Sequence, residues 1–543
     1  MGRALATFNL WSLGAVAIAA IVLAPMLAVL WIALNPAENI WPHLMATVLP
    51  RYFGTTLGLM AGVGGVAAVV GTGTAWLVAM YRFPGARWLE YGLLFPMAIP
   101  AYIGAYALVD FLDYAGPLQT AARASFGWRD ARDYWFPEVR SMGAAILVLA
   151  AALYPYVYLM ARAAFREQSG HSYEVARALG QGPWGLFWRL GLPLARPAIA
   201  AGLALVLMET VADFGTVQHF GVQTLTTGVF STWLNGNNPG GAAQIAGVML
   251  MLILALVAVE RAGRRHARFH HGTGAVRPVQ RQTLHGGKAA LACVACLLPF
   301  GLGFVLPVAV MAGHAVVRPG VWLVPGLGQA AANTAMVAGA ASALTVGAAL
   351  FLVYGVRLAG RGVARLVLPV TTLGYAAPGA VLAVGLLIPL AALDHRLADL
   401  VLGVSGHDPG LLITGTAAAI VLAYVVRFFG IAQGAVDTAF GRISPSLPMA
   451  ARSLGRSAGG VLGAVYLPMM RGSVGTALLI VFVDCVKELP ATLLLRPFNF
   501  NTLSTRVYEL ASLERLSEAA PAALVVMAMG LLAVALLARA QRG

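Results

Sequence analysis

Residues 174–193 read EVARALGQGPWGLFWRLGLP, and the chain soon continues as LVLMETVADFG from Leu205 to Gly215. Residues 449–468 read MAARSLGRSAGGVLGAVYLP, and LIVFVDCVKELPAT follows from Leu479 to Thr492. In each copy a polar, Gly-punctuated segment passes through Leu-Pro into a membrane-length apolar helix. Each of those helices carries two carboxylates four residues apart, Glu209 with Asp213 and Asp484 with Glu488. The same order of features twice in one chain predicts an internal repeat.

Outward from these stretches the chain is apolar. Its 543 residues are 59% hydrophobic and 10% charged, which excludes an ordinary soluble surface. Runs of about 20 apolar residues are long enough to cross a hydrocarbon core as helices. They fall at about 10–34, 53–80, 88–112, 142–165, 197–220 and 242–262, then 289–317, 333–358, 364–392, 411–434, 473–496 and 519–540. The expectation is an all-α polytopic membrane protein of about twelve transmembrane helices. The first run exceeds a signal-peptide core and ends without a clear cleavage site, so it reads as a span. The stretch 263–288, basic and polar, reads as a cytoplasmic linker between a half at 1–262 and a half at 289–543.

Six spans per half put both halves in the membrane in the same sense, as a parallel repeat. Two echoes support it. IPAYIGAYAL from Ile99 aligns with APGAVLAVGL from Ala377, and TLTTGVF from Thr224 with TLSTRVY from Thr502. Pro96, Pro100 and Pro378 are expected to kink their helices.

The net charge of +15 concentrates in segments that are cytoplasmic if the amino terminus is inside. That is the positive-inside bias, which also places both termini in the cytoplasm. The basic stretch Arg261–Lys288 holds a single aromatic residue, Phe269, and no aromatic interleaving, so it reads as a topology signal and linker and not as a nucleic-acid patch. Cys293, Cys296 and Cys485 lie within expected spans and imply no disulfide framework. The external stretch Asp113–Arg140 presents aromatic and charged residues of both signs, a surface suited either to a soluble partner or to the membrane interface.

Between Arg166 and Arg196 the chain is too polar for lipid. Val175, Leu179, Trp184, Leu186, Phe187 and Leu190 nonetheless supply an apolar face broken by Gly180, Gly182 and Pro183. Such a face needs a partner, and 449–468 offers a related one. Deeper in the membrane, Glu209 lies roughly 20 Å beyond Arg196 at helical rise. Four-residue spacing places each acid pair on one helix face. Carboxylates in a membrane are costly unless they meet water, cations or one another, which marks a cation path with the acids as transient ligands. The alternative is structural: Lys487, one turn from Asp484, and Arg496 could neutralise some of the acids. No fixed metal site is expected. The chain lacks GxxxxGK[ST], and its only lysines are Lys288 and Lys487, so it is no ATPase and makes no covalent change.

The polar segments resemble the coupling box of permease subunits of ATP-binding-cassette importers, in which an acid and small residues are followed by Gly and then Leu-Pro. Glu174, Ala176, Gly180, Leu192 and Pro193 match in one half; Ala450, Ala451, Gly455, Leu467 and Pro468 match in the other, where Met449 replaces the acid. The resemblance implies coupling helices docked on two copies of a cytoplasmic ATP-binding-cassette subunit, which uses ATP and Mg while this chain binds no cofactor. The segments AIPAYIGAYALVDFLDYAGPLQTAAR, METVADFGTVQHFGVQTLTTGVFSTW and VKELPATLLLRPFNFNTLSTRVYELAS resemble fused permeases for ferric iron. This implies a bacterial inner-membrane protein fed by a periplasmic ferric-binding protein. Thiamine, phosphonate or polyamine cargo and a cation-coupled secondary transporter are the alternatives.

Overall fold

Backbone amides inside a bilayer find no water and must be satisfied within the chain, which favours helices over every other local structure. The computed structural model of the protein describes residues 10–36, 39–266, 279–359, 367–372, 374 and 377–540. Among these, eleven helices are long and apolar enough to cross a membrane. The number is twelve if Ala86–Ala98 and Ala101–Phe126, bent by 96°, form one broken span.

The chain begins with α1 (Leu10–Leu34) and α2 (Leu49–Met80), then strand β1 (Tyr81–Arg82), α3 (Ala86–Gly92) and α4 (Ala101–Leu112). A 3₁₀ turn at Phe95–Ala98 and an extended Pro100 separate α3 from α4. The expected span 88–112 is therefore broken where its prolines lie. Next come α5 (Met142–Glu167), α6 (Gly170–Ala178), α7 (Leu192–Ala212), α8 (Gly215–His219), α9 (Leu225–Phe230) and α10 (Pro239–His266). Of the expected linker, residues 267–278 lie outside the described residues. Its end forms strand β2 (Gln282–Thr283), parallel to β1.

The second series is α11 (Gly286–Phe300), α12 (Leu306–Val317), α13 (Leu327–Ala359), α14 (Gly379–Ser405), α15 (Ala418–Gly441), α16 (Ser446–Ser453), α17 (Leu467–Lys487), α18 (Pro490–Leu495), α19 (Leu503–Ser512) and α20 (Leu516–Ala540). Part of the span expected at 364–392 lies outside the described residues. The described helix there starts after Pro378 and runs on to Ser405, because proline is a ready helix N-terminus.

The chain divides into two compact units. Unit 1 comprises residues 1–42, 229–250 and 325–506; unit 2 comprises 43–228, 251–324 and 507–543. These units cut across the sequence halves, since the leading helix of each half packs in the unit built mainly from the other. In unit 1, Trp11 of α1 stacks on Phe351 of α13 at 4.8 Å, and Gly385 of α14 lets α1 approach so closely that a Cβ would collide with the Pro25 carbonyl. In unit 2, α12 carries His314 to Asp110 of α4 at 3.1 Å and to Ser517 of α20 at 3.1 Å. The sequence repeat gives no warning of this arrangement, because apolar helix faces are interchangeable in pattern and the choice of neighbour is a matter of packing.

Unit 2 also buries a charge cluster beside the strand pair. The Glu90 carboxylate pairs with Arg166 at 2.6 Å, Arg281 at 3.6 Å and Arg162 at 3.8 Å. Through Arg281 the end of the linker is held to α3, and through β2 to β1 just after α2. The Asp113–Arg140 stretch is organised rather than loose. Its short helix Pro117–Phe126 leads into a stack of Phe126 on Trp128 and of Trp128 on Tyr134, each at 4.7 Å. Trp135 beside it stands 86% exposed.

Candidate functional site

The polar half of each repeat ends in the same helix cap. After α6, Gln181 N–H donates to the Ala176 carbonyl at 3.0 Å and Gly180 N–H to that of Arg177 at 2.9 Å. After α16, Arg456 N–H donates to Ala451 at 3.1 Å and Gly455 N–H to Arg452 at 2.9 Å. Gly180 has φ +82° and Gly455 φ +81°. This pattern closes a helix by turning one residue left-handed, which is why glycine stands there in both copies.

The caps present apolar side chains to the surroundings. Leu179 and Trp184 are each 76% exposed, and Leu454 is 85% exposed. Val175, Trp188, Leu447 and Met449 are exposed beside them, as is Glu174, whereas Ala176 and Ala451 are half-buried. Of the face expected from sequence, Leu186 is instead buried. Ala450, Leu467 and Pro468 are exposed, while Leu192 and Pro193 are half-buried. In both copies a π-helical turn, Leu186–Gly191 or Leu462–Tyr466, precedes the Leu-Pro that starts α7 or α17. Proline in the first turn forfeits no helical hydrogen bond.

Each segment is fixed to its unit by an aromatic cluster that the sequence reading missed. In unit 2, Trp76 of α2 meets Phe165 and Phe187 at 5.2 Å and Tyr173 of α6 at 6.1 Å. Tyr173 is buried and donates to Gln168, whose Nε2 donates to the Gly191 carbonyl at 3.1 Å. In unit 1, Tyr354 of α13 meets Tyr466 at 5.6 Å and Phe440 at 6.0 Å, and its hydroxyl donates to the Ala458 carbonyl at 2.6 Å. Trp76 and Tyr354 are separated by the same interval as Pro100 and Pro378. Extending that alignment to aromatic positions would have found them.

The acids require a correction. The spans expected at 197–220 and 473–496 do not run through, and the two acids of a pair do not share one helical face. Helix α7 stops at Ala212 and α17 at Lys487, leaving Asp213 and Glu488 extended, with ψ 133° and 120°. The cause is local. The Asp213 carboxylate accepts from Thr216 N–H at 3.0 Å, Thr216 Oγ–H at 3.0 Å and Val217 N–H at 3.1 Å, so it caps the next helix instead of continuing its own. Glu488 does the same, accepting from Ala491 N–H at 3.1 Å.

Beyond each break the two units repeat a second motif. Leu225 N–H donates to Thr56 Oγ1 at 3.0 Å, and Leu503 N–H to Thr334 Oγ1 at 2.8 Å. Thr226 donates to the Val211 carbonyl at the end of α7, and Ser504 to that of Val486 at the end of α17. Hydroxyls thus satisfy the backbone groups that a broken membrane helix would otherwise leave unpaired. The echoed TLTTGVF and TLSTRVY are these staples.

The units then diverge. Glu488 is buried and lies 3.0 Å from Nε of Arg427, also buried, in α15. Asp484 pairs with Lys487 at 3.2 Å, as the one-turn spacing predicts. In unit 2 Glu209 and Asp213 are half-buried, and Asp213 is held by amides and a hydroxyl. Arg427 escaped the sequence reading because its partner is 61 residues away and no local spacing announces it. Among the described residues no three His, Cys, Asp or Glu side chains gather into a metal-holding group.

Residues 68–264 match the model of the binding-protein-dependent transport system inner membrane component family. Over 488 residues the chain is 26% identical to the Fe(3+)-transport system permease protein FbpB 2 of Haemophilus influenzae, covering 87% of this chain and 86% of that one. It is 26% identical over 205 residues to the molybdenum transport system permease protein ModB of Escherichia coli, covering 35% of this chain and 86% of that one. With the probable sulfate transport system permease protein cysT of Marchantia polymorpha it shares 24% identity over 197 residues, 35% of this chain and 65% of the relative.

Proposed function

We propose, on the premise that residues 68–264 are a binding-protein-dependent transport system inner membrane component, that the chain is the fused permease of an ATP-driven importer carrying ferric ion. Similarity to the iron permease runs through both halves, over 87% of this chain, and supports the fused organisation; the molybdenum permease is a shorter protein, matched over 86% of its own length. The observation that carries the cargo is charge. Glu209 and Asp213 stand at the break of α7, where they would attract a cation and repel an oxyanion.

In this reading two copies of an ATPase subunit, using ATP and Mg, dock on the exposed surfaces around Leu179 and Trp184 and around Met449 and Leu454. Movement passes through Trp76 and Tyr354 into the transmembrane helices and opens the path to each side in turn. A periplasmic binding protein delivers the ion. The chain lies in a bacterial inner membrane with both termini in the cytoplasm, the orientation its Lys and Arg placement favours.

The test is uptake of radioiron, molybdate and sulfate by complexes reconstituted with their binding protein. Iron alone is expected to accumulate; accumulation of either oxyanion in its place refutes the cargo. Asp213→Asn refines the test. Asparagine still offers an oxygen to the amides of Thr216 and Val217, so thermal stability is expected to change by less than about 1 kcal/mol. Removal of the charge is expected to slow iron uptake roughly tenfold, a difference of about 1.4 kcal/mol. Unchanged uptake in both Asp213→Asn and Glu209→Gln excludes these acids from the path.

A further inference from the structure

In unit 2, α4 and α8 bring together side chains whose polar atoms are buried without protein partners. The Tyr106 hydroxyl and His219 Nε2 are such atoms. Tyr106 is 2% exposed, and its ring meets the His219 ring edge-on with centroids 4.6 Å apart. Tyr102 lies one turn earlier on α4, 6.0 Å from Tyr106. Asp213 and Tyr508 are within electrostatic range of the Tyr106 phenol, and Glu209 is within range of Asp213.

A buried hydroxyl or ring nitrogen lacking a protein partner costs about 1–3 kcal/mol, and a fold that keeps one on each of two rings in edge contact calls for a functional reason. Their chemistry indicates which. Phenol oxygen and imidazole nitrogen are donors to a small, highly charged cation, and the nearby carboxylates add a negative field. The two acids oppose an anion at the same place. Arg140, the basic group within range of His219, is 4.0 Å from Glu514.

The other half makes the comparison. Positions equivalent to Tyr102, Tyr106 and His219 are Ala380, Val384 and Leu494. There the acid that matches Asp213, Glu488, is occupied by Arg427 at 3.0 Å. The donor set belongs to one half only, while the caps and staples around it are common to both.

We infer that Tyr106 and His219, in the field of Asp213 and Glu209, form a one-sided transit site for a hard trivalent cation in unit 2. The inference rests on the ferric reading of the cargo. On binding, the phenol O–H gives its proton to water as the oxygen bonds the ion, and neutral His219 contributes the Nε2 lone pair; water completes the coordination. Two protein ligands hold an ion less firmly than a resident centre would, which suits a site that must release what it takes up.

The test uses the assembled transporter in nanodiscs, titrated with ferric nitrilotriacetate. Wild type is expected to develop a visible phenolate-to-iron charge-transfer band, which Tyr106→Phe abolishes with its ring packing kept. His219→Gln is expected to retain the band at roughly tenfold weaker iron affinity. Wild-type complexes that import iron but show no band, or show the same band in Tyr106→Phe, overturn the transit site and leave the cargo standing. Complexes that import an oxyanion in place of iron overturn both.

Discussion

Valine at both Gly180 and Gly455 is expected to abolish ATP-coupled uptake while the chain still inserts and the two units still fold. Both glycines hold φ near +80°, a conformation that costs an L-residue roughly 1–2 kcal/mol and is worst for a β-branched one. A Cβ added at either position meets nothing within 4 Å, so crowding is not the source of the effect. The strain is relieved by undoing the cap, which redirects Leu179 and Leu454 and the surfaces they belong to. A graded series follows from this cause. Asparagine, which tolerates the left-handed region, is expected to retain most uptake, alanine less and valine least. Binding-protein-stimulated ATP hydrolysis measured beside uptake separates lost docking from lost coupling. Normal coupled uptake in the double valine variant removes these segments from the role assigned to them.

The second large effect is expected at Arg427. Substitution by methionine leaves the Glu488 carboxylate buried beside an apolar chain, at a cost of about 3–5 kcal/mol. Thermal unfolding in detergent, followed by loss of monodisperse protein, reads it. Pairing Arg427→Met with Glu488→Leu removes both charges and is expected to recover most of the stability, because the pair's desolvation cost disappears with its attraction. If the double variant is no more stable than the single one, Glu488 matters through its cap on the Ala491 amide and not through its charge.

How far the site could be read in advance depends on the range of the interactions that build it. The glycine caps were legible because a helix end is written within six residues, and the Leu-Pro starts because proline is tolerated in a first turn. The breaks at Asp213 and Glu488 were not. Carboxylates among apolar residues read as lining on a continuous helix, and only the three-dimensional course of the chain shows them turned back to cap α8 and α18. The aromatic clusters around Trp76 and Tyr354 lay in plain sight but join residues about a hundred positions apart. Tyr106 and His219 are separated by more than a hundred residues and meet only because α8 packs on α4.

By itself the sequence determined the membrane class, the helical content and the repeat, since apolar run length and polar punctuation are properties of neighbouring residues. Tertiary structure alone decided which helices share a unit, with α1 joined to residues 325–506 and α11 and α12 to residues 43–228. It also decided that one half neutralises its acid with Arg427 while the other engages its acid with amides and a hydroxyl, within electrostatic range of the Tyr106 phenol. The reason is that an apolar stripe specifies burial without specifying a partner, and a buried charge acquires its meaning from whatever distant residue the packing sets beside it.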